Sequence, residues 1–191
     1  GTAVVASQSV SGAANIFYAE LPLIADGSLT TVDPSVRFAM FGFGKEFVTL
    51  GAVLAMIATS RPENRKAVAA MLVPIYITAM LSGITEPLDF MILFASPILW
   101  VVYSLFYGLG EMLLFVLGVR LLNLFGGIEL LTVNLPLPMG VTKLPIYVIL
   151  GVVFAAASFV VLAMVIKKLN LMTPGRSAEW SAEVSGDTNA L

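Results

Sequence analysis

The chain has 191 residues, of which 59% are hydrophobic and 12% charged, with a mean hydropathy of +0.97 and a net charge of −2. Water-soluble domains carry about 25% charge and 45–50% apolar residues, so this composition excludes an ordinary soluble domain and points to a membrane protein. The acidic balance and the lack of a basic face argue against nucleic acid as a partner, and the absence of cysteine and histidine removes disulfides, thiolate catalysis, soft metal sites and a phosphoryl-accepting imidazole.

Residues 1–36 are rich in turn formers, with Ser7, Ser9, Ser11, Gly12 and Asn15 followed by Asp26-Gly27-Ser28 and Asp33-Pro34. They are expected to form loops and short helices at a membrane edge. The chain begins Gly-Thr-Ala-Val, with no initiator methionine and no basic leader, so it reads as a fragment without a cleavable signal peptide. Phe47 to Ser60 is apolar but only 14 residues long. It is a half-helix or the distal part of a span that starts near Phe38 and carries Lys45 and Glu46. That pair is either interfacial or cavity-lining.

A basic loop, Arg61 to Lys66, follows, and four apolar segments come after it at 67–85, 90–107, 109–125 and 144–166. The last is 23 residues without a charge, long enough to cross hydrocarbon. Lys167-Lys168 and Arg176 close the apolar region, and a polar tail occupies 177–191. Six of the ten basic residues lie in 61–66 and 167–176. Positive residues beside spans mark the cytoplasmic side, and four crossings between the two clusters place both there. The fold class expected is all-α: a polytopic integral membrane protein with discontinuous helices and re-entrant hairpins.

The most informative stretch is Gly83-Ile84-Thr85-Glu86-Pro87-Leu88-Asp89-Phe90. Charge-free runs of 19 and 18 residues flank its two carboxylates. Gly83 suits a helix stop and Pro87 the first turn of a new helix, which makes Glu86 the cap and Asp89 the third residue. Ionisable groups at membrane depth cost about 2.5–3.5 kcal/mol on insertion scales, so they point to function. A membrane helix that stops and restarts around an acid marks a solute site in transporters. The alternative is that Glu86 and Asp89 cap a helix end that reaches the interface.

Other polar residues carry less. Glu111 and Arg120 are nine residues apart, about 180° around a helix, so they do not pair there. Glu111 is expected near a membrane edge and Arg120 to snorkel. Gly126-Gly127 is a loop or a close backbone approach, and Trp100 falls mid-segment with no role assigned. No catalytic residue, metal site or cofactor is expected.

Thr59-Ser60-Arg61-Pro62-Glu63-Asn64-Arg65-Lys66, the Gly83–Phe90 element, Ala95-Ser96-Pro97-Ile98-Leu99 and the closing Lys167 to Arg176 together resemble the membrane permease component, IIC, of sugar phosphotransferase systems in the glucose superfamily. The similarity runs from about Arg37 to Arg176, so residues 37–176 are assigned to the C-terminal transport half of a IIC domain. The resemblance implies an elevator-type sugar transporter of the bacterial cytoplasmic (inner) membrane, surrounded by membrane lipids. It would be a homodimer through an N-terminal half absent here, and would work with phosphorylated IIB and IIA domains. The family's sugar-binding glutamate carries over to Glu86, with Thr85 and Asp89 beside it.

Three features depart from the family pattern. Asp89 stands where the family usually has glutamate, the upstream binding-site histidine and arginine have no counterpart, and no cysteine-bearing IIB or histidine-bearing IIA domain follows residue 176. Gly42-Phe43-Gly44-Lys45, in place of a phenylalanine-rich motif, leans towards α-glucoside or maltose permeases. The different-class alternative is an ion- or proton-coupled carrier using Glu86 or Asp89.

Overall fold

The computed structural model describes residues 2–177 and 180; all of the tail expected over 177–191, apart from Ser177 and Trp180, lies outside the described residues. The first segment is more ordered than its turn-rich composition suggested. Strands β1 (Thr2–Val5) and β2 (Gln8–Ser11) form an antiparallel hairpin with Val5 opposite Gln8. Ala6 and Ser7 both take positive φ, as a two-residue hairpin turn demands. Helix α1 (Ala13–Ala25) and a 3-10 turn (Pro34–Ala39) follow. Ile16, Phe17 and Ile24 of α1 bury against Val36, Leu122 and Leu137, a small second core apart from the main helical one.

The main body is helical. Helical backbone starts at Gly42, passes through a π turn (Gly44–Val48) and continues as α2 (Thr49–Thr59). Helix α3 (Arg65–Ser82) ends at Gly83, whose φ of 79° is the left-handed stop that glycine tolerates. Then come α4 (Glu86–Ala95), α5 (Pro97–Val116), α6 (Gly127–Asn134), the single turn α7 (Met139–Thr142) and α8 (Leu144–Lys168). Helices α3, α5 and α8 are long and apolar enough to cross a membrane. With so little strand, the protein is a helical, polytopic membrane protein.

Two expected boundaries move. The segments 90–107 and 109–125 are not the units that form. The chain breaks instead at Ser96, whose hydroxyl caps α5 by accepting from the Leu99 amide at 3.3 Å, with Pro97 in the first turn. Helix α5 then runs straight through Gly108 and Gly110. Gly110 is kept bare of a side chain because the Phe43 ring packs where its Cβ would stand. Helix α4, about 15 Å long at 1.5 Å per residue, is too short to span.

Helices α2 and α8 run side by side in the same direction. Gly51 seats against Ser158 and the Ala155 carbonyl, and Gly151 against the Phe47 ring. Small residues let helices approach closely where lipid offers no hydrophobic drive. Both helices end at the basic end of the molecule, where the two basic segments meet. The Arg61 amide donates to the Gly175 carbonyl at 3.0 Å, and Asn64 Nδ2 donates to the same oxygen at 3.0 Å. Helix α4 ends at this level too, since Met91 and Ala95 share a recess with Thr173 and Pro174.

Candidate functional site

The break after α3 places its two acids as neighbours on one helical face. Helix α4 begins at Glu86, one residue earlier than the capping pattern suggested, so Thr85 is the cap residue and Asp89 the fourth residue of the helix. Thr85 caps through its backbone: its carbonyl accepts from the Leu88 and Asp89 amides, each at 2.9 Å. Its hydroxyl makes no capping bond.

Glu86, Asp89, Phe90 and Leu93 repeat at helical spacing and face Trp100, Tyr103, Ser104 and Tyr107 of α5. The two faces line an open cavity of about 370 Å³, at which Glu86 and Phe90 are exposed. Thr85 is not among its walls, whereas Glu86 and Asp89 both are. Helix α5 is about 30 Å long, and Tyr103 and Tyr107 stand about 9 and 15 Å from its start, so the cavity lies at mid-depth.

The tyrosines are fixed from behind. Thr49 Oγ1 lies 2.8 Å from the hydroxyls of both Tyr103 and Tyr107, which are 2.9 Å from one another. Thr49 also donates to the Gly44 carbonyl at 3.1 Å. Gly44 has no side chain, and the Tyr107 ring lies where a Cβ would be. The π turn thus presents its carbonyl and glycine to α5.

Lys45 and Glu46 do not pair with one another. Both reach the irregular segment that precedes α6: Lys45 Nζ donates to the Leu124 carbonyl at 3.0 Å, and Glu46 accepts from Asn123 Nδ2 and from the Tyr147 hydroxyl, each at 2.8 Å. Tyr76 donates to the Glu46 carbonyl at 2.8 Å. Asn134 grips Leu122, accepting from its amide at 2.9 Å and donating to its carbonyl at 2.7 Å. Glu129 accepts from the Leu124 and Phe125 amides at 2.6 and 2.9 Å. Non-helical backbone at membrane depth survives only where protein groups satisfy it, and here side chains do so.

The segment in turn abuts the α3–α4 break. A Cβ on Gly83 would strike the Phe125 carbonyl, and one on Gly126 would meet the Met80 carbonyl at 2.8 Å. Gly126-Gly127 is therefore a close backbone approach. Glu111 lies within α5, not at an edge, and its Oε1 is buried without a hydrogen-bond partner among the described residues. Arg120 stands beyond the C-terminus of α5, over the Phe115 ring at 4.9 Å, so helical spacing from Glu111 does not apply to it.

Sequence reasoning missed Trp100, Tyr103, Ser104 and Tyr107 as cavity residues. The signal was present as spacing: four aromatic or hydroxyl-bearing side chains at i, i+3, i+4 and i+7 in an otherwise apolar run.

Comparison with known proteins covers this site. The family model for the phosphotransferase system, EIIC, matches residues 4–108. The alpha-glucoside-specific EIICB component of Klebsiella pneumoniae is 39% identical over 176 residues, 87% of this chain and 32% of that protein. The maltose-specific EIICB component of Escherichia coli (strain K12) is 34% identical over 186 residues, 96% of this chain and 35% of its own length. The N-acetylglucosamine-specific EIICB component of Bacillus subtilis (strain 168) is 37% identical over 157 residues, 80% of this chain and 34% of that protein. The chain spans about a third of the length of the curated relatives it matches. Since the matched family model covers more than half of its residues, the chain belongs to the EIIC family of phosphotransferase systems.

Proposed function

We propose that this chain is the transport part of a sugar permease in the bacterial cytoplasmic membrane, with Glu86 as the principal sugar ligand. The observation that carries the proposal is the mid-depth cavity with carboxylates on α4 and aromatic and hydroxyl groups on α5. A sugar offers several hydroxyl donors and a C–H face. A carboxylate accepts from more than one hydroxyl, and charge-assisted bonds are stronger than neutral ones. Trp100 supplies an apolar ring face for the sugar's C–H groups. Asp89, one turn on, adds acceptor capacity and complements the positive end of the α4 dipole. Thr85 contributes through its backbone and not its hydroxyl.

The chain has neither histidine nor cysteine, so a phosphoryl group reaching the sugar comes from IIB and IIA domains. The names of the relatives, which specify alpha-glucosides, maltose and N-acetylglucosamine, support a glucoside-type substrate. Homodimerisation of the whole permease belongs to the same proposal.

Calorimetric titration of a permease carrying this segment with maltose and other α-glucosides tests the site. Glu86→Gln keeps the shape and removes the charge, and binding should weaken roughly ten-fold or more. Trp100→Ala should weaken it as well, and Asp89→Asn should cost less than Glu86→Gln. Loss of binding in Asp89→Asn with retention in Glu86→Gln reverses the two roles. Equal and small effects of all three move the sugar elsewhere.

A further inference from the structure

Of the ten basic residues, six gather at the Arg61 and Arg176 end, Lys45 lies between, and Arg37, Arg120 and Lys143 stand at the other end. Helices α5 and α8 establish that separation, because α5 ends and α8 begins beside Arg120 and Lys143. Basic residues at the non-cytoplasmic end of a membrane protein run against the usual charge bias, so these three need a local reason.

Two of the three, Arg120 and Lys143, converge on a pocket of about 260 Å³. Arg120 and Lys143 line it, with Thr30 and Thr31 adding hydroxyls and Gly118 and Gly140 adding bare backbone. No carboxylate is among the walls. Arg37 and Arg120 lie over the same Phe115 ring, 4.5 and 4.9 Å from its centroid. Two guanidinium groups at one ring repel unless negative charge lies between or beside them. Burial first, and then the Arg37 charge, push the Arg120 guanidinium below its ordinary value.

The partners of these cations are neutral. Lys143 Nζ donates to the Leu117 carbonyl at 2.8 Å, and Arg120 Nη1 donates to the Val119 carbonyl at 2.6 Å. Among the described residues the one ion pair is Arg61 with Glu63, at the opposite end. Asp33, the acid nearest Arg37 in sequence, is turned onto the Ser35 amide and hydroxyl. Lys143 also holds a left-handed backbone, φ 56°, which a residue with a Cβ adopts at a cost. A bond from the Arg120 amide to the Thr142 carbonyl at 3.2 Å keeps the two cationic segments together.

We infer that the Arg120–Lys143 pocket binds a phosphate-type anion. The arrangement pairs a guanidinium, which matches phosphate oxygens in a fork, with an ammonium acting as a point charge. Thr30, Thr31 and the glycine backbone complete the wall together with Val32, Pro34 and Val141. The source is either a phospholipid headgroup at the membrane surface or free phosphate in water. This site is separate from the cavity at Glu86 and does not depend on its assignment.

The test uses a permease carrying this segment, purified in neutral detergent, and has two arms. Thermal unfolding is followed against inorganic phosphate, with chloride at equal ionic strength as the reference. Native mass spectrometry then reads lipid retained from vesicles of phosphatidylglycerol and phosphatidylcholine. Saturable stabilisation by phosphate identifies a soluble anion, and selective retention of phosphatidylglycerol without a phosphate effect identifies a headgroup. In either case the Arg120→Gln, Lys143→Gln double variant should bind about ten-fold more weakly or worse. Lys168→Gln, at the other end, should bind as the parent does. Gly140→Glu, where a Cβ meets nothing within 4 Å, sets a carboxylate at the wall without removing a cation and should produce the same loss. Absence of binding in both arms, or binding equal in the parent and in both pocket variants, overturns the inference.

Discussion

Arg61 Nε donates to the carbonyl oxygen of Arg176 at 2.9 Å across 115 residues of chain, and Arg176 Nη1 returns a bond to the Thr59 carbonyl at 2.9 Å. The two basic segments are thus one surface, not two loops that share a side only by a count of crossings. A cysteine at Glu63 and another at Lys168, both exposed, should react with an impermeant thiol reagent from the same face of sealed vesicles. A cysteine at Gly140 should react only from the opposite face. Labelling of Glu63→Cys and Lys168→Cys from different faces contradicts the fold.

The parallel packing of α2 on α8 rests on Gly51. Adding a methyl there drives it into Ser158 Oγ and the Ala155 carbonyl, and only the first of these is able to move. Gly51→Ala should lower stability by about 1–3 kcal/mol, the usual range for overpacking. Gly108→Ala meets nothing within 4 Å on α5 and should be neutral, or stabilising by up to about 1 kcal/mol through helix propensity. Thermal unfolding of both variants in detergent separates a specific crossing from a general intolerance of glycine replacement.

Glu46 and Tyr147, 101 residues apart, meet at 2.8 Å in the buried network that holds Asn123. Tyr147→Phe keeps the ring and removes one donor from the carboxylate, a cost of about 1–3 kcal/mol for a buried acceptor left short. Asn123→Asp should be worse, because it trades a donor for a second carboxylate against the first. At the sugar site proposed above, both variants should also lower affinity by loosening the Phe125 backbone that abuts Gly83. A Tyr147→Phe protein as stable as its parent would mean that Asn123 alone suffices to hold Glu46.

Asp33 gives a pH dependence outside the spans. Its carboxylate accepts from the Ser35 amide at 2.8 Å and from the Ser35 hydroxyl, and these bonds hold its pKa below the usual aspartate range, the hydroxyl bond contributing most. A carboxyl depressed in the folded state contributes stability above its unfolded value, and that contribution is lost as pH falls through the folded one. Protection of the Ser35 and Val36 amides against hydrogen exchange, measured relative to their intrinsic rates at each pH, should therefore fall below about pH 4, near the ordinary aspartate value. Asp33→Asn should flatten this dependence. An unchanged profile in Asp33→Asn would assign the acid sensitivity to another group.

The membrane setting, the break at Gly83 and Pro87, and the basic ends were legible in the sequence because composition and backbone chemistry are local. Gly83 stops a helix, Pro87 starts one, and a charge between apolar runs is visible without coordinates. Glu86 and Asp89 were singled out in that way, as residues that break a pattern. Partners across the fold were not legible. Whether α5 continued through Gly108 and Gly110 depended on the Phe43 ring that fills the space beside Gly110. Lys45 and Glu46 looked alike as an adjacent pair, yet their roles came from Leu124, Asn123 and Tyr147, far along the chain. Trp100 gained its place opposite Glu86 only when α4 folded back along α5. These relations come from packing and from the need to satisfy polar groups away from water, and both depend on which distant residues the fold brings within a few ångströms.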